Sequence, residues 1–280
     1  MTTETWFITG TSTGFGRAFA EYAIERGHNV VATARNVAAL ASLAKAVPGR
    51  VLTLALDVTR SADAQAAIKA AVERFGRIDV LINNAGYGVV GAFEETSDEE
   101  LRALMDTNFF GAMNVTRAAL PQLRAQKAGA MVNISSLGGQ LSFAGFSAYS
   151  ASKFAIEGIS EALALEMAPF GVKVLIVEPG QFRTNLAGPN LRHMPIIADY
   201  KDVVGGTRDF ARTMHGTQEG DPRKAAAAIE TALAAPDTPL RLQLGADAVD
   251  AIRGHSEKLL QDLSKWEALA RATAFDRKEA

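Results

Sequence analysis

The chain predicts an α/β protein built on a doubly wound, mostly parallel seven-stranded sheet with helices on both faces. Three observations carry this expectation. Short runs rich in Val, Ile, Leu and Phe alternate with longer Ala/Leu/Ile segments of helical spacing. Within each short run the apolar residues are consecutive, as in strands covered on both faces. The first run leads straight into a turn with Gly at positions 10, 14 and 16, and then into a helical pattern. Such a βαβα alternation buries its strands as a parallel sheet, and right-handed crossovers leave few strand orders open.

Strands are predicted at residues 5–9, 29–34, 51–56, 80–83, 130–135 and 173–178, with a short last one at 240–244. The helix at 15–26 follows the glycine turn and stops before Gly27, and the helix at 62–75 lies between Ser61 and Gly76. The helix at 97–126 opens with Ser97 and Glu100, a capping-box spacing. The helix at 148–170 stops at Gly171. Residues 180–220 mix Gly, Pro, Arg and isolated apolar residues with weak periodicity. A stretch this long predicts a substrate-covering lid, about 185–220, with one or two short helices near 195–214. Asp221-Pro222 starts another helix with Pro in its first turn. Val249, Ile252, Leu259, Leu263 and Trp266 mark an amphipathic C-terminal helix at about 246–270. No repeat or linker divides the chain, so residues 1–280 are read as one domain.

Composition removes whole classes of function. With 29 Lys+Arg against 31 Asp+Glu, there is no electrostatic footprint for nucleic acid or an anionic membrane. The absence of cysteine excludes disulfides, thiolate zinc sites, iron–sulfur clusters and a cysteine nucleophile. His28, His193, His215 and His255 have no metal-ligand spacing, so no metal site is expected. His28 and His255 read as surface residues, while His193 and His215 fall where a substrate could pass. Ser135 and Ser136 lack the Gly-x-Ser-x-Gly nucleophile elbow. No apolar run approaches the roughly 20 residues of a spanning helix, and the N-terminus has no signal-peptide pattern. A cytoplasmic protein is the resulting expectation.

The glycine turn reads Thr9-Gly10-Thr11-Ser12-Thr13-Gly14-Phe15-Gly16. Gly10 permits a tight turn, Gly14 lets backbone approach a pyrophosphate, and Gly16 lets helix pack close to strand. The N-terminus of the following helix then faces the phosphates with unpaired N–H groups. The turn resembles TGxxxGxG, the signature of the short-chain dehydrogenase/reductase family. Further motifs follow in order: Asp57-Val58 after the third strand, Asn83-Asn84-Ala85-Gly86 after the fourth, and Pro179-Gly180 with Thr184. The likeness runs from about Trp6 to Thr184 and implies a Rossmann-like fold that binds a nicotinamide dinucleotide. It implies that Asp57 and Val58 border the adenine, that Asn84, Ala85 and Gly86 lie beside the adenosine ribose, and that Pro179, Gly180, Phe182 and Thr184 pass the nicotinamide. Ser12, Thr13 and Phe15 complete the cofactor contacts of the glycine turn. A carboxylate at the end of the second strand would bind the ribose 2′-OH of NAD. Ala34 stands there instead and Arg35 follows, with a guanidinium that can hold a phosphate. NADP(H) is therefore expected over NAD(H).

Tyr149 and Lys153 lie one turn apart on one helix face. They match the family's catalytic Tyr-x-x-x-Lys, in which the ammonium lowers the tyrosine pKa towards the working range and the lysine also holds the nicotinamide ribose. The family's serine lies thirteen residues before this tyrosine, which selects Ser136 over Ser135, leaving Ser135 to face the scaffold. Asn108 matches the family's helix asparagine, which fixes a water in a proton relay to the lysine. The resemblance thus implies an oxidoreductase interconverting an alcohol and a ketone or aldehyde. The walls expected around a small, apolar substrate are Leu137, Gln140, Phe143, Phe146, Tyr87, Phe93, Phe182, Leu191, Met194 and Ile196, with Ser136 and Tyr149 on its oxygen. Arg183 and Arg192 near the mouth read as solvated charges. The stretch Val177 to Thr184 and the longer C-terminus are similar to those of 17β-hydroxysteroid and retinol dehydrogenases. A cofactor-binding regulatory or scaffold protein without turnover, and an epimerase or dehydratase of the extended relatives, are the competing readings. Family members commonly pair their fourth and fifth helices, so a homodimer or homotetramer is expected through Ala118, Ala119, Leu123, Phe154, Ile159, Leu163 and Met167.

Overall fold

In chain order the first half comprises β1 (Thr5–Ile8), α1 (Gly14–Glu25), β2 (Asn29–Ala34), α2 (Ala41–Ala46), β3 (Val51–Ala55), α3 (Ser61–Phe75), β4 (Val80–Asn83), β5 (Gly88–Val90) and α4 (Asp98–Met105). The second comprises α5 (Gly111–Gln126), β6 (Gly129–Ile134), α6 (Ser147–Met167), β7 (Val172–Pro179), β8 (Leu191–His193), α7 (Lys201–Thr213), α8 (Pro222–Ala234), β9 (Arg241–Leu244) and α9 (Ala246–Arg271). These come from a computed structural model that describes residues 3–275. Seven strands form one sheet in the order β3-β2-β1-β4-β6-β7-β9, every pair parallel. The predicted doubly wound, single-domain fold is the observed one, and all seven predicted strands are found within a residue or two of their expected ends.

Alternation along each strand explains the consecutive apolar runs. Trp6, Ile8, Val30, Ala32, Val80, Ile82, Val132, Leu175 and Val177 point to one face, against Phe19, Ala23 and Ile24 of α1 and Ala225, Ala226 and Ile229 of α8. Phe7, Val31, Leu81, Met131 and Val174 point to the other, against α3, α5 and α6. Each strand thus feeds two cores, and the sheet reverses its winding between β1 and β4, where ligands bind in such folds.

Five features depart from the expectation. The short helix α2 was unpredicted. The helix expected over 97–126 divides into α4, a π-helical turn at Asp106–Phe110, and α5. Ser97 does cap it, accepting a hydrogen bond from the Glu100 backbone N–H at 3.2 Å, but the Glu100 carboxylate turns to Tyr87 and Arg192 instead of closing the box. The region expected as a lid carries β8, which pairs with β5 in a second, two-stranded parallel sheet. Ala119, Leu123, Leu163 and Met167, expected on an oligomer surface, face the sheet and are buried; Phe154 is exposed. His28, expected at the surface, is buried: it stacks on Trp6, accepts a hydrogen bond from the Glu4 backbone and reaches Glu230. No helix among the described residues is long and apolar enough to cross a membrane.

The segment after β7 is fastened to the frame by a buried ion pair. Arg208 of α7 reaches the Glu95 carboxylate at 2.5 Å, with side chains 5% and 1% exposed. It also donates to the carbonyls of Met194 and Pro195. The backbone N–H groups of Ala92 and Ile197 donate to the same carboxylate. Every oxygen and guanidinium nitrogen named has a partner, so the pair resists separation and removal of one member strands the other. Arg208→Met is expected to lower unfolding stability by about 3–5 kcal/mol in urea denaturation. The Glu95→Gln/Arg208→Met double variant should recover part of that loss; equal stability of wild type and Arg208→Met would contradict the anchoring.

Candidate active site

The glycine turn is shaped by steric exclusion. Gly10 and Gly14 adopt left-handed backbone, with φ of +70° and +59°. A Cβ at Gly16 would strike the Gly10 carbonyl oxygen and lie 2.5 Å from the Asn84 amide nitrogen. Thr13 precedes α1 without a side-chain capping bond, which leaves the first N–H groups of the helix to face the turn. Ser12 and Thr13 are exposed beside them. Phe15 packs on Phe19 and on Phe182, with ring centroids 5.3 and 5.1 Å away. This cradle, closed to side chains and lined by free N–H donors, fits the pyrophosphate of a dinucleotide.

A second turn is latched onto the first. The Asn84 amide donates to the carbonyls of Thr9 and Gly10 at 2.8 and 3.2 Å. The Thr9 hydroxyl accepts from the backbone N–H groups of Asn84 and Ala85. Beneath them, Asn83 donates to Thr116 and to Asn133, and Asn133 donates to Ser160, each at 2.8 Å. This buried network ties β4 and β6 to α5 and α6. Asn133 and Ser160 were not singled out in the sequence, where a polar residue inside an apolar strand was the available signal.

The remaining residues expected at the cofactor lie at the ends of β2, β3 and β7. Arg35 is exposed just past β2. The Asp57 carboxyl, pushed up by burial, is held below its ordinary value by hydrogen bonds from Thr59 and by the charges of Arg35 and Arg60. Arg35 makes no ion-pair contact among the described residues. Val58 is buried under Gly111, and its carbonyl accepts from Asn114. Pro179 ends β7. Gly180 stands against the Asp247 carboxylate, which accepts from the Gln181 N–H at 2.7 Å. Thr184 comes within 3.4 Å of where a Cβ on Gly14 would be.

Asn108 sits in the π-helical turn, buried. Its amide donates to the Tyr87 carbonyl at 3.0 Å and to the Ser152 hydroxyl at 3.1 Å, and its oxygen accepts from the Tyr87 N–H at 3.1 Å. Gly86 leaves room for that oxygen. Ser152 in turn donates to the Tyr149 carbonyl at 2.7 Å. The Asn108 side chain is therefore fully engaged with protein groups.

Ser136, Tyr149 and Lys153 converge at the carboxyl end of β6. The Ser136 hydroxyl accepts from the Gly138 N–H at 3.0 Å and meets the Tyr149 side chain across Gly138. Lys153 is buried and donates to the Ile134 carbonyl at 2.8 Å, with its nitrogen 5.7 Å from the Tyr149 ring centroid. Burial pushes the Tyr149 phenol above its ordinary value, against a hydrogen bond with Ser136 that lowers it. This differs from the expectation that the neighbouring ammonium lowers it: both groups are desolvated, and the Lys153 nitrogen bonds the Ile134 carbonyl and not the phenol. Burial also lowers Lys153 to about 8, opposed by the charge of Glu157.

Gln140 and Phe182, expected as wall residues, lie in the interior. The Gln140 amide is committed to Glu157 and Glu178, two carboxylates that burial pushes up, so it faces the interior. Arg241 joins both. Ser135 is buried beside Glu157 and Gly139. Phe182 is core, packed on Phe15 and Gly220. Met194 packs with Val89, Leu104, Ala148 and Tyr87. Phe143 is half exposed. Phe146 meets Tyr149 edge-on at 6.2 Å. His193 is exposed at the end of β8, and the His215 ring fills the space beside Gly188. Arg183 and Arg192 are not merely solvated. Arg183 donates to the Gln218 carbonyl, and Arg192 pairs with Glu100 at 2.9 Å and lies 4.2 Å over the Tyr87 ring.

The fold, the cradle and this triad together define a dinucleotide-binding oxidoreductase. The family model for short chain dehydrogenase matches residues 4–194, and the chain belongs to that family. It is 40% identical over 273 residues to the oxidoreductase BOA17 of Botryotinia fuckeliana, covering 97% of this chain and 100% of that one. It is 38% identical over 247 residues to the 3-ketodihydrosphingosine reductase of Bacteroides thetaiotaomicron, covering 85% and 86%. A short-chain dehydrogenase structure from Streptomyces avermitilis superposes with a TM-score of 0.92 at 50% identity, over 98% of this chain and 99% of that one. A Burkholderia phymatum family member in complex with NAD matches with a TM-score of 0.81 at 25% identity over 92% and 95%. ElxO with NADP bound matches with a TM-score of 0.73 at 25% identity over 89% and 100%. The protein is an oxidoreductase enzyme of this family.

Proposed function

We propose that the enzyme is NADP(H)-dependent and interconverts a carbonyl and an alcohol, with Tyr149 as its acid and base. The observation that carries this reading is the convergence of the Tyr149 phenol, the Ser136 hydroxyl and the Lys153 ammonium at the end of β6. The dinucleotide, when bound, supplies or accepts the hydride. Gly10, Gly14, Gly16 and the start of α1 hold its pyrophosphate. Asp57, Val58, Asn84, Ala85 and Gly86 border its adenosine half, and Pro179, Gly180 and Thr184 its nicotinamide half.

The remaining chemistry belongs to the side chains. Ser136 donates a hydrogen bond to the substrate oxygen and orients it. Tyr149 gives its phenolic proton to that oxygen as charge develops there, and takes a proton back in oxidation. Its raised pKa keeps it protonated across neutral pH, the form needed for reduction. The Lys153 ammonium stabilises the phenolate that remains and would hold the ribose hydroxyls of the dinucleotide. Asn108 is a positioning residue: with its amide spent on Tyr87 and Ser152, any water it holds for proton resupply must hang on its backbone carbonyl.

Cofactor choice rests on the end of β2, where Ala34 offers no carboxylate to repel a 2′-phosphate and Arg35 is exposed, with no ion-pair contact among the described residues. Leu137, Phe143, Phe146, Tyr87 and Met194 make an apolar surround, consistent with a relative whose name records reduction of 3-ketodihydrosphingosine. An apolar ketone or aldehyde is the substrate class proposed.

Tyr149→Phe should cost at least about a hundredfold in turnover while leaving NADPH binding nearly unchanged; wild-type turnover in that variant would refute the mechanism. Arg35→Ala should weaken NADPH binding about tenfold or more, the loss of one charge-assisted contact, and leave NADH binding alone. Equal losses for both dinucleotides would refute the preference. Lys153 loses its charge as pH rises through about 8. The rate of carbonyl reduction should therefore hold below that pH and fall above it, read as kcat/KM against pH.

A further inference from the structure

Helix α9 leaves the body of the protein after Ile252. Its first turns are anchored, with Ala248 and Ile252 buried, but every described residue from Ser256 onward is exposed. About 24 Å of helix, from Ser256 to Arg271, therefore stands free at ~1.5 Å per residue. A helix of this length is marginal in water unless one face is covered. Leu259, Leu260, Leu263, Trp266 and Leu269 are 56–64% exposed along it. Together they offer roughly 600 Å² of apolar surface, more than a soluble monomer normally leaves open in one patch.

The pattern specifies another helix as the cover. Val249, Ile252, Leu259, Leu263, Trp266 and Ala270 follow the alternating three-and-four spacing of a helix–helix seam, with Ser256 at the one polar position. Leu263, Glu267, Ala270 and Arg271 border a shallow hollow of about 270 Å³. Between Ser256 and Arg271 three cations oppose three anions, with Lys258–Asp262 and Glu267–Arg271 paired along the helix. A neutral face of this kind has no attraction for anionic lipid or nucleic acid. Glu257, Lys258 and Asp262 leave the first half at one net negative charge, and Lys265, Glu267 and Arg271 leave the second at one net positive. An antiparallel copy sets these halves against each other, whereas a parallel copy sets like against like.

We propose that α9 is a self-association helix that pairs antiparallel, about a two-fold axis, with α9 of a second copy of this chain. The pairing is isologous, so one seam serves both copies. Its area is somewhat below the ~800 Å² per partner of a standard interface, which makes the association reversible on dilution.

The test uses the full chain, wild type and Leu263→Glu, in sedimentation velocity across a dilution series. Wild-type assembly mass should halve on dilution, and the variant should hold the smaller mass throughout, with unchanged circular dichroism and dinucleotide binding. Trp266 gives an independent reading, because the only other tryptophan, Trp6, is 1% exposed. Acrylamide should quench Trp266 weakly in concentrated wild type and strongly in the variant. Identical masses for both proteins at every concentration, with Trp266 equally quenched, would overturn the proposal. So would protection of Trp266 only on adding neutral phosphatidylcholine vesicles, since the cover would then be a bilayer.

Discussion

Gly16 has no room for a side chain, because the Gly10 carbonyl and the Asn84 amide occupy the space a Cβ would take. That contact brings α1 against the end of β1 and fixes where its N-terminus faces. A continuous series of contacts runs on from it. Asn84 holds the glycine turn through the Thr9 and Gly10 carbonyls. Gly86 leaves space for the Asn108 oxygen, and Asn108 grips Tyr87 on one side and Ser152 on the other. Ser152 bonds the Tyr149 carbonyl in the first turn of α6. The pyrophosphate cradle and the phenol therefore belong to one rigid lattice of short polar contacts. Short polar contacts of this kind hold side chains in fixed geometry.

The electrostatics of the site follow from where that lattice puts charge. Lys153 is a buried ammonium whose nearest compensation is a neutral carbonyl, and desolvation lowers its pKa while Glu157, one turn further along α6, opposes this. Glu157 and Glu178 are themselves pushed up by burial and are held together by Arg241 and Gln140. The lysine is thus backed by a carboxylate cluster rooted in the last strand of the sheet. Tyr149 receives no comparable help and remains a phenol. The pair is thus a buried phenol with a titratable cation beside it.

The parts of this arrangement visible in the sequence are those fixed by local rules. Strands covered on both faces read as consecutive apolar residues, and helices ended at Gly27, Gly76 and Gly171. The glycine spacing depends only on distance along the chain, and the selection of Ser136 over Ser135 rests on the spacing of the family it resembles. What escaped depends on contacts between distant segments. His28 looked like a surface residue because its partners, Trp6 and Glu230, come from a different strand and from α8. Gln140 looked like a pocket residue because the carboxylates that claim it lie on α6 and β7. The π-helical turn at Asn108 interrupts an unbroken helical periodicity, and Asn is no strong breaker; its position is set by the bonds to Tyr87 and Ser152.

The segment after β7 shows the same principle most clearly. Weak periodicity between residues 180 and 220 reads as a loose lid, since neither helix nor strand repeats there. The order it has comes from non-local pairing: β8 beside β5, Arg192 stacked on Tyr87, and Arg208 buried against Glu95. A buried, fully bonded ion pair is costly to separate, so this wall does not open as a flexible loop would. Met194 is set by the Gly91 turn behind it, where a Cβ would come within 2.6 Å. The residues that hold the wall, Glu95, Glu100, Arg192 and Arg208, are charged and lie outside the dinucleotide motifs. The order of this segment accordingly depends on ion pairs that position apolar side chains, as much as on the apolar side chains themselves.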